Sequence, residues 1–181
     1  MDVGGVILAG GTAVRLDGAD KASIELDGRT FLEHAITALA AAAEVVVVGE
    51  PVPTSRPATF VREDPPLGGP VAGLLAGRAA LAGTPGLLVV LAVDMPRVTA
   101  ATVDRLLAAV SGDGAVLHDA DGRRQLVMAL CTRSLDAAAP ADPRGVSVRD
   151  LLAPLDLAAV PAVGDEAHGV DRWEDLRELE S

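Results

Sequence analysis

The chain has 181 residues, about the length of one domain. Half of the residues are hydrophobic but only 2% are aromatic, so aliphatic side chains build the core, and an aromatic surface for stacking single-stranded nucleic acid is excluded. The net charge of −11 disfavours binding to nucleic acid or to an anionic membrane surface. Of the fifteen basic residues, only Lys21 is a lysine.

The cysteine content and the hydropathy pattern point to the cytoplasm. Cys131 is the only cysteine, so neither an internal disulfide nor a thiolate zinc site is expected. The first residues lack a basic leader, and no apolar run approaches the roughly 20 residues that span a bilayer. We therefore expect an unprocessed cytoplasmic protein without a membrane segment.

Three apolar runs in the first half of the chain, residues 3–8, 45–48 and 87–93, each end in turn residues. Continuous rather than alternating apolar runs are typical of strands that are buried on both faces. Helical patterns separate them: Thr30 and Glu33 have the spacing of a capping box, and Pro70 suits the first position of a helix. Thr99 can cap a third helix.

The second half of the chain carries weaker signals. We expect strands at residues 115–117, 126–130 and 155–160 and a turn at residues 119–124. A short helix is expected at residues 146–152 and a closing amphipathic helix at residues 171–179. The alternation of strands and helices predicts an α/β fold, with helices on both faces of a mostly parallel sheet. Ligands bind such sheets at the carboxyl ends of the strands.

The loop after the first predicted strand has the composition of a phosphate cradle. Gly10 and Gly11 allow the backbone N–H groups to turn toward an anion, and Arg15 and Lys21 bring fixed positive charge. The loop is neither a Walker A motif nor a dinucleotide-binding fingerprint. The alternative is an ordinary turn between a strand and a helix.

Asp94 follows the third apolar run directly, where a carboxylate can point into the site. Magnesium bound with nucleotide phosphates takes hard oxygen ligands, which a carboxylate supplies. A turn or helix-capping aspartate is the alternative, because Pro96 follows.

These segments resemble the molybdenum cofactor guanylyltransferase family of the NTP-transferase superfamily. The resemblance begins with Leu-Ala-Gly-Gly and the following Arg15 and Asp20-Lys21, and continues with Asp64 and the Gly-Pro-Val-Ala-Gly segment at residues 69–73. It extends through Val-Asp-Met-Pro at residues 93–96 to Glu-Asp-Leu near the end of the chain. The resemblance implies a single-domain, Rossmann-like, three-layer α/β/α sandwich of the nucleotide-diphospho-sugar-transferase type.

The resemblance also implies roles for individual residues. Lys21, Arg15 and Asp94 would be catalytic, with Lys21 on the phosphates and Arg15 on the departing pyrophosphate. Asp94 and Asp171 would hold Mg²⁺, although Asp171 could equally cap the last helix. The residues implied to bind the nucleotide are Leu8, Ala9, Gly10, Gly11, Lys21, Asp64, Gly69, Gly73 and Asp94.

The implied reaction transfers GMP from GTP to the phosphate of molybdenum-molybdopterin, giving the guanine dinucleotide cofactor and pyrophosphate. Residues 1–110 would bind the nucleotide and residues 111–181 the acceptor, within one domain spanning 1–181. Contact with other proteins of molybdenum cofactor biosynthesis is a further expectation. The alternatives are a cytidylyltransferase, a sugar-1-phosphate nucleotidyltransferase, and a nucleotide-binding regulator without activity.

Four arginines in the second half of the chain have two interpretations each. Arg123 and Arg124 lie in a predicted hairpin turn, Arg144 precedes the predicted short helix, and Arg149 lies within it. All four can be solvated surface residues or contacts to the acceptor. Gln125 and Leu126 stand where members of the family commonly have His-Pro.

Overall fold

The computed structural model describes residues 2–10, 16, 18, 20–63 and 68–181. Five strands form the central sheet in the order β5-β4-β1-β6-β8, all parallel except β8, which runs antiparallel to β6. A second parallel pair, β7 and β9, lies beyond β8. The strands of the sheet and of this pair are β1 (Val3–Leu8), β4 (Glu44–Val48), β5 (Thr59–Val61), β6 (Leu87–Ala92), β7 (Gly114–His118), β8 (Arg124–Cys131) and β9 (Leu157–Pro161), and the short hairpin strands are β2 (Glu25–Leu26) and β3 (Arg29–Thr30).

Helices cover both faces of this sheet, and successive side chains along each strand point into two different hydrophobic cores. Ile7 and Val47 pack into one core, whereas their neighbours Val6 and Val48 pack into the other. Side chains of successive strand residues point to opposite faces, so continuous apolar runs fill both layers. The described helices are α1 (Phe31–Ala38), α2 (Pro70–Ala80), α3 (Ala100–Ala109), α4 (Thr132–Ala138), α5 (Val148–Leu152) and α6 (Trp173–Leu179).

The predicted helix starts are confirmed. The Thr30 hydroxyl accepts a hydrogen bond from the backbone N–H of Glu33, and Pro70 occupies the first turn of α2. Thr99 caps α3 in a reciprocal capping box with Thr102. The capping box predicted at α1 forms only on the threonine side, because the Glu33 carboxylate instead accepts hydrogen bonds from Ser55.

The register brings the carboxyl ends of three strands together. Leu8 at the end of β1 lies beside Val48 of β4 and Ala92 of β6. Because β8 is antiparallel to β6, its first residues lie at this same edge. The expected three-layer α/β/α sandwich with a mostly parallel sheet is confirmed. Within the described ranges, no helix is long and apolar enough to cross a membrane.

Candidate active site

A cleft of about 430 Å³ opens at the carboxyl ends of β1, β4 and β6. This is the edge at which open α/β sheets bind their ligands. The first turn of α2 forms one wall and the start of β8 contributes to another. The lining residues are Leu8, Gly10, Val48, Glu63, Gly69, Pro70, Gly73, Ala92, Asp94 and Leu126.

Two glycines shape the wall formed by α2. Gly69 has a φ of 93°, a conformation that side-chain-bearing residues rarely adopt, and Pro70 begins the helix immediately after it. A Cβ atom at Gly73 would lie 3.4 Å from Val48 Cγ1 and 3.7 Å from Leu8 Cδ2, which is van der Waals contact. The fold itself therefore leaves room for a methyl group at position 73, and that group would occupy space at the wall of the cleft.

One ammonium group joins two carboxylates at the edge of the cleft. Lys21 Nζ donates to Asp94 Oδ2 at 2.8 Å and to Asp171 Oδ1 at 2.7 Å. The side chains of Lys21 and Asp94 are 19% and 27% exposed, but that of Asp171 is 64% exposed. Asp171 is thus the arm of this cluster most open to a ligand.

The local backbone positions both Lys21 and Asp171 relative to Asp94. Lys21 begins a short 3₁₀ turn, which Asp20 caps by accepting a hydrogen bond from the backbone N–H of Ala22. On the other side, the backbone N–H of Val170 donates to the carbonyl oxygen of Asp94 at 2.8 Å, which places Asp171 next to the end of β6. Two segments far apart in the chain therefore meet at Asp94, one at its carboxylate and the other at its backbone carbonyl oxygen.

The charges of the cluster stabilise one another. Burial alone would lower the pKa of Lys21, but hydrogen bonds and Coulomb attraction from Asp171 and Asp94 outweigh it, so that this pKa lies above its ordinary value of 10.5. Lys21 is consequently a cation throughout the physiological pH range.

The loop that carries Asp171 is anchored to α3 through Glu166. Glu166 is a buried residue, with 8% of its surface exposed. Its carboxylate accepts hydrogen bonds from the Thr102 hydroxyl at 2.6 Å and from the Arg105 guanidinium at 2.5 and 3.1 Å. It also accepts from the backbone N–H of Val163. Burial raises the pKa of Glu166, but these hydrogen bonds outweigh it and lower the pKa below 4.5.

Asp171 does not cap the last helix, which begins at Trp173. The N-cap position is held by Arg172, and the carboxylate of Asp175 in the first turn accepts hydrogen bonds from the backbone N–H groups of Asp171 and Arg172, both at 2.8 Å. These hydrogen bonds, chiefly the one from the Asp171 N–H, lower the pKa of Asp175. The carboxylate of Asp171 is thereby left to face Lys21, so the capping alternative is excluded.

The pair Asp94 and Asp171 fits a magnesium ion that is shared with a nucleotide. Both carboxylates already converge on one cationic atom, and protein sites for Mg²⁺ commonly supply one or two carboxylates while phosphates and waters supply the rest. Among the described residues, no group of three or more His, Cys, Asp or Glu side chains is arranged to hold a metal alone. A divalent ion held by this pair would therefore need further ligands from outside the described residues.

The structure brings together most of the residues predicted to form the site. Leu8, Gly10, Gly69, Gly73 and Asp94 line the cleft, and Lys21 and Asp171 join it through Asp94. Ala9 does not line the cleft, and its backbone N–H donates a hydrogen bond to the carbonyl oxygen of Val48. The predicted residues Gly11, Arg15 and Asp64 lie outside the described residues.

Five lining residues were not among the predicted site residues, although one of them, Pro70, lies within the segment 69–73 that carries the resemblance. Val48 ends a predicted strand and Ala92 lies one residue before the end of another, so their position alone is a usable signal. Glu63 directly precedes Asp64, which the family resemblance implied to be a nucleotide-binding residue. Leu126 comes from the start of β8 and carries no sequence signal for the cleft, since an antiparallel strand at that edge was not foreseen.

The fold and this cleft define the class of the protein as an NTP-transferase domain. Residues 5–160 match the family described as the MobA-like NTP transferase domain, and the chain belongs to that family. The chain is 38% identical over 134 residues to a molybdenum cofactor guanylyltransferase of Acidiphilium cryptum. The match covers 69% of this chain and 64% of that relative, which is less than two thirds of the relative's length.

Solved structures share the fold over nearly the whole chain. Rv0371c from Mycobacterium tuberculosis has a TM-score of 0.78 at 19% identity, covering 99% of this chain and 98% of its own. The same protein was also solved in complex with manganese, with a TM-score of 0.75. The 2-C-methyl-D-erythritol 4-phosphate cytidylyltransferase from Thermus thermophilus has a TM-score of 0.71 at 26% identity, covering 99% and 98% of the two chains.

Proposed function

We propose that this chain transfers GMP from GTP to the phosphate of molybdenum-molybdopterin, giving the guanine dinucleotide cofactor and pyrophosphate. The observation that carries the proposal is the convergence of Lys21, Asp94 and Asp171 at the edge of a glycine-lined cleft. Membership of the MobA-like family and the name of the Acidiphilium relative support guanine and molybdopterin as the substrates.

In the proposed reaction, an oxygen of the acceptor phosphate attacks the α-phosphorus of GTP. A new P–O bond forms there, the bond from the α-phosphorus to the bridging oxygen breaks, and pyrophosphate leaves with that electron pair. The attacking oxygen is already anionic, so no side chain has to remove a proton. Catalysis then consists of positioning and charge neutralisation, as is typical of phosphoryl and nucleotidyl transfer.

The residues of the cleft divide this work. Lys21 has three N–H donors, of which Asp94 and Asp171 use two in this structure, so at least one is available to a phosphate oxygen. Gly69 and Gly73 leave the wall of α2 without side chains where the nucleotide would lie. The positive end of the α2 dipole favours an anion at the same wall.

We also propose that Asp94 and Asp171 hold the Mg²⁺ that accompanies the nucleotide. When bound, the ion would supply positive charge to the phosphate oxygens during transfer. Support comes from the two convergent carboxylates and from the manganese complex of Rv0371c, which shares the fold. Removal of divalent ions with EDTA is expected to abolish turnover, and added Mg²⁺ or Mn²⁺ to restore it.

A pyrophosphate-release assay with each of the four nucleoside triphosphates tests the substrate assignment. With molybdenum-molybdopterin as the acceptor, we expect release from GTP and at least tenfold less from CTP, UTP and ATP, because a base with the wrong hydrogen-bonding edge leaves polar groups unpaired. Binding of GTP without turnover in the presence of acceptor would instead indicate a nucleotide-binding regulator.

Cytidylyl transfer is the second candidate. It is favoured by the 26% identity to the Thermus cytidylyltransferase, because that match covers nearly all of both chains. A preference for CTP in the same assay, with a sugar-alcohol phosphate as acceptor, would replace the guanylyl proposal. The two candidates share the roles given to Lys21 and Asp94, so variants of those residues do not separate them.

A further inference from the structure

A second cleft, of about 560 Å³, lies beside the nucleotide cleft. Leu126 lines both, so the two clefts adjoin at the start of β8. We call this second space the arginine cleft, after three of its lining residues. Its lining consists of Arg123, Arg124, Gln125, Leu126, Val148, Arg149, Leu152 and Ala153.

The charges of the arginine cleft are unbalanced. Arg124 and Arg149 make no hydrogen bond or ion pair within the described residues, and Arg123 contacts the carboxylate of Asp121 only at 3.6 Å, with both side chains about three quarters exposed. Several other arginines of this chain, whose net charge is −11, do pair with an acid. Arg78, Arg97, Arg105 and Arg144 each have one within 3.0 Å. Unpaired guanidinium groups around one cavity create a local positive potential that attracts an anion.

The fold fixes this cleft relative to the reacting groups. Arg124 begins β8, which is antiparallel to β6 and therefore starts at the edge where β6 ends before Asp94. Arg149 lies on α5, and the segment before α5 is tied to the start of α2 by the bond from the Gly145 N–H to the Gly68 carbonyl oxygen, 3.2 Å long. Both arginines thus sit next to the cleft rather than on a remote surface.

The rest of the lining suits an organic body attached to the anion. Leu126 and Val148 are partly buried and Leu152 is buried, which gives the cleft an apolar floor. Gln125 is held by its side-chain N–H, which donates to Asp119 at 3.0 Å, so its amide oxygen is left to accept a hydrogen bond. A compact heterocycle with a phosphate group has both the apolar faces and the polar edges that this lining matches.

We propose that the arginine cleft binds the acceptor, with Arg124 and Arg149 holding the phosphate monoester whose oxygen attacks GTP. This inference rests on the proposed function, because it assigns the acceptor of that reaction to particular residues. During transfer, one oxygen of the acceptor phosphate forms the bond to the α-phosphorus and pyrophosphate leaves. The remaining phosphate oxygens stay on the guanidinium groups, which are suited to bidentate phosphate contacts.

Equilibrium binding without GTP or metal tests the inference directly. The probe is a fluorescent 6-alkylpterin phosphate monoester, compared with the same pterin after phosphatase treatment, and anisotropy reports both affinities. We expect the wild type to prefer the phosphorylated probe by about tenfold or more, since a charge-assisted phosphate contact accounts for the difference. In the double variant Arg124→Gln and Arg149→Gln, the preference should fall to about twofold or less.

Arg133→Gln is the matched control. Arg133 is an exposed arginine on α4 that lines neither cleft and has no recorded ion pair within the described residues. Its replacement removes one positive charge, half the change made by the double variant, and should leave the tenfold preference intact. An undiminished preference in the double variant, or an equal loss in Arg133→Gln, would overturn the inference.

Turnover separates this inference from the proposed function. If phosphate preference depends on the two arginines but no nucleotide is transferred, the subsite stands and the proposed reaction fails. If GMP is transferred and the double variant retains the wild-type KM for the acceptor, the reaction stands and the subsite fails. The expected result is an acceptor KM raised about tenfold by the double substitution, with the KM for GTP unchanged.

Discussion

The nucleotide cleft and the arginine cleft adjoin, yet their charges are arranged in opposite ways. In the first, the Lys21 ammonium pairs with the carboxylates of Asp94 and Asp171 through hydrogen bonds of 2.8 and 2.7 Å. In the second, Arg124 and Arg149 have no acid among the described residues. A paired cluster holds its geometry without a ligand, whereas unpaired cations leave part of their binding energy for a ligand. The difference suggests that one region is organised for catalysis and the other for capture of an anion.

The strongest test of this difference removes charge from the paired cluster. We expect Lys21→Ala or Asp94→Asn to lower kcat/KM by about 10²–10³, the typical loss of a residue that stabilises transition-state charge. Pyrophosphate release with GTP and acceptor measures it, and Arg133→Ala serves as the control with nearly unchanged turnover. A loss of only a few-fold would mean that the cluster is structural.

Lys21→Arg sharpens the same test. The substitution keeps the positive charge but replaces a compact ammonium by a planar guanidinium, which cannot make the same pair of short contacts. We expect a loss of about tenfold or more in kcat. Near-normal turnover would show that charge alone suffices, and the single lysine of this chain would then have no chemical significance.

A smaller effect is expected from two glycines of α2. A Cβ atom at Gly77 would lie 2.6 Å from Val6 Cγ1, so Gly77→Ala should push the helix from the sheet and lower the free energy of unfolding by about 1–2 kcal/mol. At Gly73 the added methyl has room in the fold but enters the cleft. Gly73→Ala should therefore raise the KM for GTP by about tenfold, the effect of one methyl group in a pocket.

Urea unfolding and steady-state kinetics on both variants separate packing from binding. Gly77→Ala should lose stability with the KM for GTP unchanged, and Gly73→Ala should show the reverse. If Gly73→Ala leaves the KM for GTP at the wild-type value, the nucleotide does not approach this wall of the cleft, and the role predicted for Gly73 is wrong.

Much of the first cleft could be predicted because its signals are local. The apolar runs that became β1, β4 and β6 end at the residues that line it, and the glycines of α2 stand beside a proline. What physical reasoning could not reach is contact across long separations, such as the 150 residues between Lys21 and Asp171. The family resemblance assigned Asp94 and Asp171 to one Mg²⁺ and Lys21 to the phosphates, but it did not predict the direct contact between Lys21 and Asp171.

The arginine cleft and the Glu166 anchor had no comparable signal. Arg123 and Arg124 could be interpreted from the sequence as a solvated turn or as contacts to the acceptor, and the antiparallel placement of β8, which puts them beside the nucleotide cleft, is a tertiary property. Glu166 reads as one acid among 26, and only the fold shows that it is buried against Thr102 and Arg105. Unpaired or buried charges cannot be recognised before their neighbours are known.

The Glu166 anchor should contribute to stability in a pH-dependent way. Glu166→Gln removes the ion pair to Arg105, and because the Arg105 side chain is 37% exposed, we expect a loss of about 1–2 kcal/mol at pH 7 rather than the full cost for a buried pair. The pKa of Glu166 is lowered on folding. The stabilisation is therefore present above the unfolded-state pKa and disappears as the pH falls through the folded one.

Urea unfolding of wild type and Glu166→Gln at pH 7 and near pH 3 checks both parts. The difference in stability should narrow at the acid end. The variant should also retain the wild-type preference of the arginine cleft for phosphate, because α5 is not part of the anchor. Equal differences at both pH values would show that the ionised carboxylate is not what stabilises the loop.

The smallest expected effect concerns the cation between Asp94 and Asp171. Lys21 Nζ occupies the position on which both carboxylates converge, so it competes with a divalent ion for the same oxygens. Lys21→Met, which preserves the length of the stem, should therefore raise the affinity for Mn²⁺ by about fivefold in the absence of nucleotide, a gain kept modest because Asp171 is exposed. Titration calorimetry measures the Mn²⁺ affinity, with Arg133→Met as the control for net charge.

Lys21→Met also removes the phosphate contact proposed for Lys21 and should abolish most turnover, so tighter metal binding together with lost activity is the expected result. Weaker Mn²⁺ binding in Lys21→Met would mean that the ammonium group organises the carboxylates for the metal instead of competing with it.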